Sequence, residues 1–220
     1  MIDTPQIARR ISSLSCGLWH PHYTKCKIRT DPLYEGIYAE LEQRRLPLLD
    51  IGCGLGILAM YLRECGWGNA VTGIDYDSSK IESGKRMLAK GGYSGISLSQ
   101  GDARTGLPEH RGDVTILDIM QFFDADGQRD LLKSAASRVA PGGKLIIRSG
   151  LLEKNVRFFT TWIGDIFAKC TFWMQAAPVL YPTGDFFRET LSAEGFEVEI
   201  RPFWGNTPFN NFLIVAKRPE

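Results

Sequence analysis

The stretch Leu48-Leu49-Asp50-Ile51-Gly52-Cys53-Gly54-Leu55-Gly56-Ile57-Leu58 constrains this chain more than any other. Residues 48–51 read as a buried strand, and the run from 57 to 65 reads as a helix that Gly66 stops. Between them, glycines at 52, 54 and 56 let the backbone turn sharply and let a ligand approach main-chain N–H groups with no Cβ in the way. The helix aims its positive end at the same spot. With the acidic Asp75 roughly twenty positions on, strand, turn and helix make a nucleotide-binding unit.

The rest of the chain repeats the alternation. Strands are expected at 70–74, 96–99, 114–119 and 144–148, and helices from Asp77 or Ser78 to about 89 and at 126–139. That order predicts a doubly wound, mostly parallel α/β sheet. A helix at 185–193 precedes two last strands, 197–201 and 211–217, whose short connection predicts an antiparallel pair at the sheet edge.

Upstream, Ile7, Ile11, Leu14 and Leu18 recur at helical spacing. Residues 19–25 read as a polar, aromatic loop in which Pro21 blocks a helix, and Asp31-Pro32 opens a second helix with Tyr34 on its inner face. Residues 1–45 are therefore expected to form a helical cap on a domain spanning 46–220. An aromatic-rich helical insertion is expected at about 152–182, where Phe159, Trp162, Ile163, Ile166, Phe167, Cys170, Trp173 and Met174 form a broad apolar stripe. Such a stripe reads as packing first and as a substrate wall second.

Composition closes several classes. A formal net charge of +1 gives no bulk electrostatic argument for nucleic-acid binding. Five scattered cysteines without CxxC spacing argue for reduced thiols in a cytoplasmic setting, with no disulfide frame and no metal site. No signal peptide and no run of eighteen apolar residues is found. The expected form is a cytoplasmic monomer or homodimer.

The acidic residues at strand ends discriminate between ligands. Asp75 offers acceptors to both ribose hydroxyls, and Tyr76 offers a face for adenine. Asp102, with the Ala103 backbone beside it, suits an adenine amine and ring nitrogen. The last glycine falls one position early for the dinucleotide pattern G-x-G-x-x-G. Asp50 brings a negative charge toward the turn, which repels a pyrophosphate and attracts a sulfonium or an ammonium. A cationic ligand is favoured over NAD.

Four stretches, 49–56, Gly73-Ile74-Asp75, Gly101-Asp102-Ala103 and 139–145, together resemble the class I, seven-stranded S-adenosylmethionine-dependent methyltransferases. The resemblance covers about residues 46–150 and implies S-adenosyl-L-methionine as cofactor and a reversed last strand. It also implies that Gly52, Gly54 and Gly56, with Cys53 among them, line the methionine moiety. Asp75 then binds ribose, Asp102 binds adenine, and Asp118 lies near the methyl group.

The flanks, His20-Pro21-His22-Tyr23, 27–34 and 207–212, more loosely resemble methyltransferases of bacterial aryl-polyene and fatty-acid-like biosynthesis. That likeness implies a small or carrier-bound acceptor, hydroxyphenyl or acyl in kind. Where such relatives carry a His after the fourth strand, this chain has Gln121. His20 and His22 are the leading candidate bases because imidazole titrates near neutral pH, with Asp118 beside them in the catalytic set. Tyr23, Tyr34, Gln121 and Arg148 are candidate substrate contacts, Arg148 reading equally as a solvent-facing strand end. The other readings are an NAD(P)-dependent oxidoreductase and a non-catalytic donor-binding subunit.

Overall fold

The computed structural model describes residues 3–15, 20–153, 157, 158, 160 and 178–220. Leu18 and the aromatic stripe from Phe159 to Met174 lie outside them. The chain divides into two compact units, Met1–Thr105 and Gly106–Glu220.

The first unit opens with three helices, α1 (Thr4–Leu14), α2 (His20–Thr30) and α3 (Leu33–Leu41). The Asp3 side chain caps α1 by accepting from the Gln6 amide, and Ile7, Ile11 and Leu14 are buried along it. The expected loop at 19–25 is instead the start of α2. Pro21 does not block it because a helix's first amides have no intrahelical acceptor, so proline loses nothing there. Asp31 accepts from the Leu33 amide at 3.0 Å where α3 begins. Tyr34, Ile37 and Leu41 are buried along α3, and Tyr38 is half-buried.

These helices are tied to the rest of the unit. Arg10 pairs with Glu64 at 2.8 Å, Lys90 donates to the Ser13 carbonyl at 2.8 Å, and the Trp67 indole donates to the Leu41 carbonyl at 2.8 Å.

The remainder of this unit is β1 (Leu48–Ile51), α4 (Ile57–Glu64), β2 (Val71–Asp75), α5 (Ser78–Gly91) and β3 (Ile96–Gln100). β1 pairs parallel with β2, and β2 parallel with β3, with Asp50 opposite Gly73 and Asp75 opposite Gln100. Asp77 caps α5 by accepting from the Ser79 and Lys80 amides, and Gly92, left-handed at φ 70°, closes it.

The second unit carries β4 (Asp113–Leu117), a 3₁₀ turn (Met120–Phe122), α6 (Ala125–Arg138) and β5 (Lys144–Gly150). It ends with α7 (Gly184–Ala193), β6 (Glu197–Pro202) and β7 (Asn211–Lys217). β4 ends at Leu117, two residues before the expected end at 119, because Asp118 turns left-handed at φ 61°. β4 and β5 are parallel, while β7 runs antiparallel to both β5 and β6. The strand order over the seven-stranded sheet is β3-β2-β1-β4-β5-β7-β6, the doubly wound arrangement with one reversed strand that the sequence predicts. The last pair is not wholly at the edge: β7 is the inner member and is buried from Phe212 to Ala216, with β6 outside it.

Candidate functional site

The site builds from the glycine turn in the first unit. Gly52, Gly54 and Gly56 all have positive φ, 79°, 54° and 71°, where an L side chain is strained. A Cβ added at Gly54 meets nothing within 4 Å, so the turn opens outward there. A Cβ at Gly56 meets Leu98 at 2.9 Å, so that glycine also permits close packing on β3.

The turn's own amides are engaged. Gly52 and Cys53 both donate to the Ile74 carbonyl, at 2.8 and 3.0 Å. Gly56 donates to the Cys53 carbonyl at 2.8 Å, and Gly54 donates to Asp75 Oδ2 at 2.8 Å. The expectation that these main-chain N–H groups await a ligand is therefore corrected. A pyrophosphate cradle needs amides directed outward, and these four are bonded within the chain.

Asp75 organises the turn instead. Its Oδ2 accepts from Gly54 and its Oδ1 accepts from the Asp77 amide at 2.9 Å. A carboxylate has about four acceptor positions, so each oxygen retains capacity for one further donor. That residual set matches two vicinal hydroxyls.

Asp50 is buried in β1. Cys53 is half-buried in the turn itself. Burial first, then the Asp50 and Asp75 carboxylates, push the Cys53 thiol well above its ordinary range. Cys53 is thus a packed neutral thiol between two acids.

Tyr76 is 41% exposed beside Asp75. Its phenol is pushed up by burial and by the Asp75 and Asp77 carboxylates, with Arg104 acting the other way. Asp102 and Ala103 sit in the turn after β3, where Asp102 accepts from the Arg104 amide at 3.0 Å and from its guanidinium at 2.9 Å. That fork holds the Asp102 carboxyl below its usual range. Sequence alone assigns Arg104 no role. An Asp-x-Arg spacing in a turn is the available signal, and only the folded turn shows that the side chain curls back.

Two glycines outside the motif carry the turn's packing. A Cβ at Gly73 meets Leu98 at 2.7 Å and the Cys53 sulfur at 2.8 Å. A Cβ at Gly84, in mid-α5, meets the Leu55 carbonyl oxygen at 2.7 Å. Glycine in a helix interior costs roughly 1 kcal/mol against alanine, and close approach of α5 to the turn requires it here.

The other candidates fall in separate places. His20 opens α2, His22 is exposed on its first turn and Tyr23 is half-buried. Tyr34 is buried with its ring 5.6 Å from that of Tyr61.

In the second unit Asp118, Gln121 and Arg148 come together. Arg148 Nε donates to Asp118 Oδ1 at 2.6 Å, Nη2 pairs with Oδ2, and the Asp118 amide donates to the Arg148 carbonyl at 3.0 Å. The Arg148 side chain is 2% exposed and that of Asp118 32%. Arg148 is therefore not a solvent-facing strand end, because its charge is matched by the acid just past the end of the neighbouring strand. Gln121 donates to the Asp118 carbonyl at 3.1 Å, while its own Oε1 is buried with no hydrogen-bond partner among the described residues.

A methyltransferase-domain family matches residues 48–143. The chain is 32% identical over 127 residues to a ribosomal protein L11 methyltransferase of Shewanella piezotolerans, a match covering 56% of this chain and 41% of that protein. It is 33% identical over 118 residues to the protein of that name from Burkholderia ambifaria, covering 52% and 36%. The chain thus spans about two fifths of the length of the curated relatives it matches.

Among solved structures, an O-methyltransferase family protein of Burkholderia thailandensis superposes with a TM-score of 0.69 at 17% identity, over 91% of this chain and 59% of that one. Magnesium protoporphyrin IX methyltransferase of Synechocystis, with bound SAH, gives 0.66 at 17% identity over 97% and 93%. A glycopeptide N-methyltransferase gives 0.64 at 18% identity over 85% and 89%. At these identities the likeness is one of fold.

Proposed function

We propose that this chain, which carries a class I methyltransferase domain, transfers a methyl group from S-adenosylmethionine to a small-molecule acceptor. The observation that carries this reading is the tie between Asp75 and Gly54. It engages the turn amide that a phosphate would use and leaves the carboxylate with two acceptor positions for ribose hydroxyls. An open space at Gly54 and two buried acids, Asp50 and Asp75, suit a cationic ligand at the turn. A dinucleotide suits it poorly.

When bound, S-adenosylmethionine supplies an electrophilic methyl carbon on a sulfonium centre. The chain's residues then have to orient the acceptor in line with it and keep water out, and alignment is worth up to about 7–11 kcal/mol in favourable systems. On this reading Gly52, Cys53, Gly54 and Gly56 line the methionine end and Asp75 the ribose. Tyr76, Asp102 and Ala103 line the adenine. His20 and His22 are candidate bases. Asp118, Gln121 and Arg148 supply polar contacts toward the acceptor, with residues 1–45 as a cap.

A small acceptor, hydroxyphenyl or acyl in kind, is favoured over a ribosomal protein. The match to the L11 enzymes covers only 56% of this chain and 41% of that protein. A net charge of +1 gives no bulk electrostatic argument for a nucleic-acid-rich partner. Two of the superposing enzymes are named for porphyrin and glycopeptide acceptors, and their length is close to this chain's.

A thermal-shift comparison tests the donor: stabilisation by S-adenosylhomocysteine and not by NAD is expected, and the reverse would overturn the reading. Transfer of labelled methyl to a hydroxyphenyl acyl compound, free or carrier-bound, tests the acceptor.

A further inference from the structure

The two acids assigned to the donor differ in readiness. Each Asp75 oxygen accepts a single hydrogen bond, both from backbone amides, and those amides are fixed by the turn and by the start of α5. Ribose therefore meets a carboxylate already aimed and half-open. Asp102 is already engaged. Its Oδ1 accepts from the Arg104 amide at 3.0 Å, the Arg104 Nε–H is shared between Oδ1 at 2.9 Å and Oδ2 at 3.1 Å, and Nη2 lies 2.9 Å from Oδ2 in an ion pair. Both oxygens of the carboxylate thus face a cation that a further donor has to displace.

The backbone of this turn is tied down. The Asp102 carbonyl accepts from the Thr105 amide at 3.0 Å and from the Thr105 hydroxyl at 2.9 Å. The Arg104 side chain can, because 62% of it is exposed and it leaves for solvent with little packing lost.

We propose that Arg104 is a specificity-determining residue of the donor pocket: it holds the Asp102 carboxylate that the adenine amine needs, so that donor binding displaces it. This rests on the reading of Asp102 as the adenine contact. An exposed ion pair is weak, so a ligand with a correctly placed amine displaces the guanidinium readily. A ligand lacking that amine cannot. The ribose end is preformed and the adenine end is guarded, and discrimination among nucleoside-like ligands falls on the base.

Calorimetric titration of the full chain with S-adenosylhomocysteine tests this. Arg104→Gln is expected to tighten binding about two- to fivefold, by removing a competitor of that strength. Raising NaCl from about 20 mM to about 500 mM should tighten binding to the wild-type chain by screening the pair, and should leave Arg104→Gln flat. In an Asp102→Asn background, Arg104→Gln should have no effect, because the pair is already gone.

Unchanged or weaker binding by Arg104→Gln overturns the inference, since it places Arg104 outside the pocket or on the face of the bound base. Tight binding unaffected by Asp102→Asn overturns it as well, while leaving Asp75 and the donor reading in place. No binding by the wild-type chain overturns the donor reading itself.

Discussion

Asp118 stands in the left-handed region at φ 61° with its carboxylate gripped by the guanidinium of Arg148, one partner a third exposed and the other at 2%. The strand ends where the acid must turn to meet the buried cation. The two members of this pair are not equivalent energetically. Removing Asp118 strips the fork from a guanidinium that water cannot reach. Removing Arg148 leaves a carboxylate that water can.

Asp118→Ala is therefore expected to destabilise the fold by about 1–3 kcal/mol, the usual cost of removing one hydrogen-bond partner of a buried polar group. Arg148→Met, which keeps the aliphatic stem, should cost clearly less. Asp118→Asn should fall between wild type and alanine, because asparagine tolerates the left-handed region and keeps one acceptor. Chemical denaturation of the three variants reads the order, and an Arg148→Met loss equal to that of Asp118→Ala counts against the asymmetry.

Asp75→Ala is expected to weaken S-adenosylhomocysteine binding about tenfold or more, on the order of 1.4 kcal/mol. Asp75→Asn should lose less than alanine, since it can still accept from the Gly54 amide. Titration calorimetry measures both, and wild-type affinity in Asp75→Ala removes this residue from the site.

Gly84→Ala would ordinarily stabilise a helix by roughly 1 kcal/mol. Here its Cβ falls 2.7 Å from the Leu55 carbonyl oxygen, a backbone atom of the turn. The net result should be a loss of about 1–3 kcal/mol, together with weaker donor binding as the turn is pushed. Gly73→Ala should do the same through Cys53 and Leu98. Melting temperature and donor affinity are read on the same samples, and a stabilised Gly84→Ala removes the packing argument.

Asp77 gives a pH dependence. Burial raises its carboxyl, but the Ser79 hydroxyl, the Lys80 and Ser79 amides and the Lys80 charge outweigh that and hold it below its ordinary value. A depressed folded value means that the contribution to stability is present above the unfolded value, about 3.9. It is lost as pH falls through the folded value. Asp77→Ala should cost about 1 kcal/mol at neutral pH, with the gap to wild type closing as the solution is acidified below about pH 4. Urea midpoints at several pH values check it, and a gap independent of pH excludes the ionised cap.

Much of the architecture is legible in the chain itself. Alternating apolar runs with glycine and proline between them specify strands and helices locally, so β1 and β7 fall where expected and α5 takes its expected cap. The three left-handed glycines and the acid at the end of β2 are equally local, because spacing alone brings a strand end to a helix start. Pro21 departs from expectation for a local reason too, since a proline blocks a helix interior but suits its first turn.

What tertiary structure decided was which donors and acceptors remain. Composition cannot tell whether the amides of Gly52, Cys53, Gly54 and Gly56 face a ligand or bond to Ile74, Cys53 and Asp75, and they do the latter. Nor can it tell that Arg104 pairs with Asp102, that Arg148 turns inward to Asp118, or that Gly73 and Gly84 make room for the turn. Hydrogen-bond capacity and close approach are properties of residues far apart in the chain. The pattern of residue types marked the donor turn, and only the folded contacts show what the turn still has to offer.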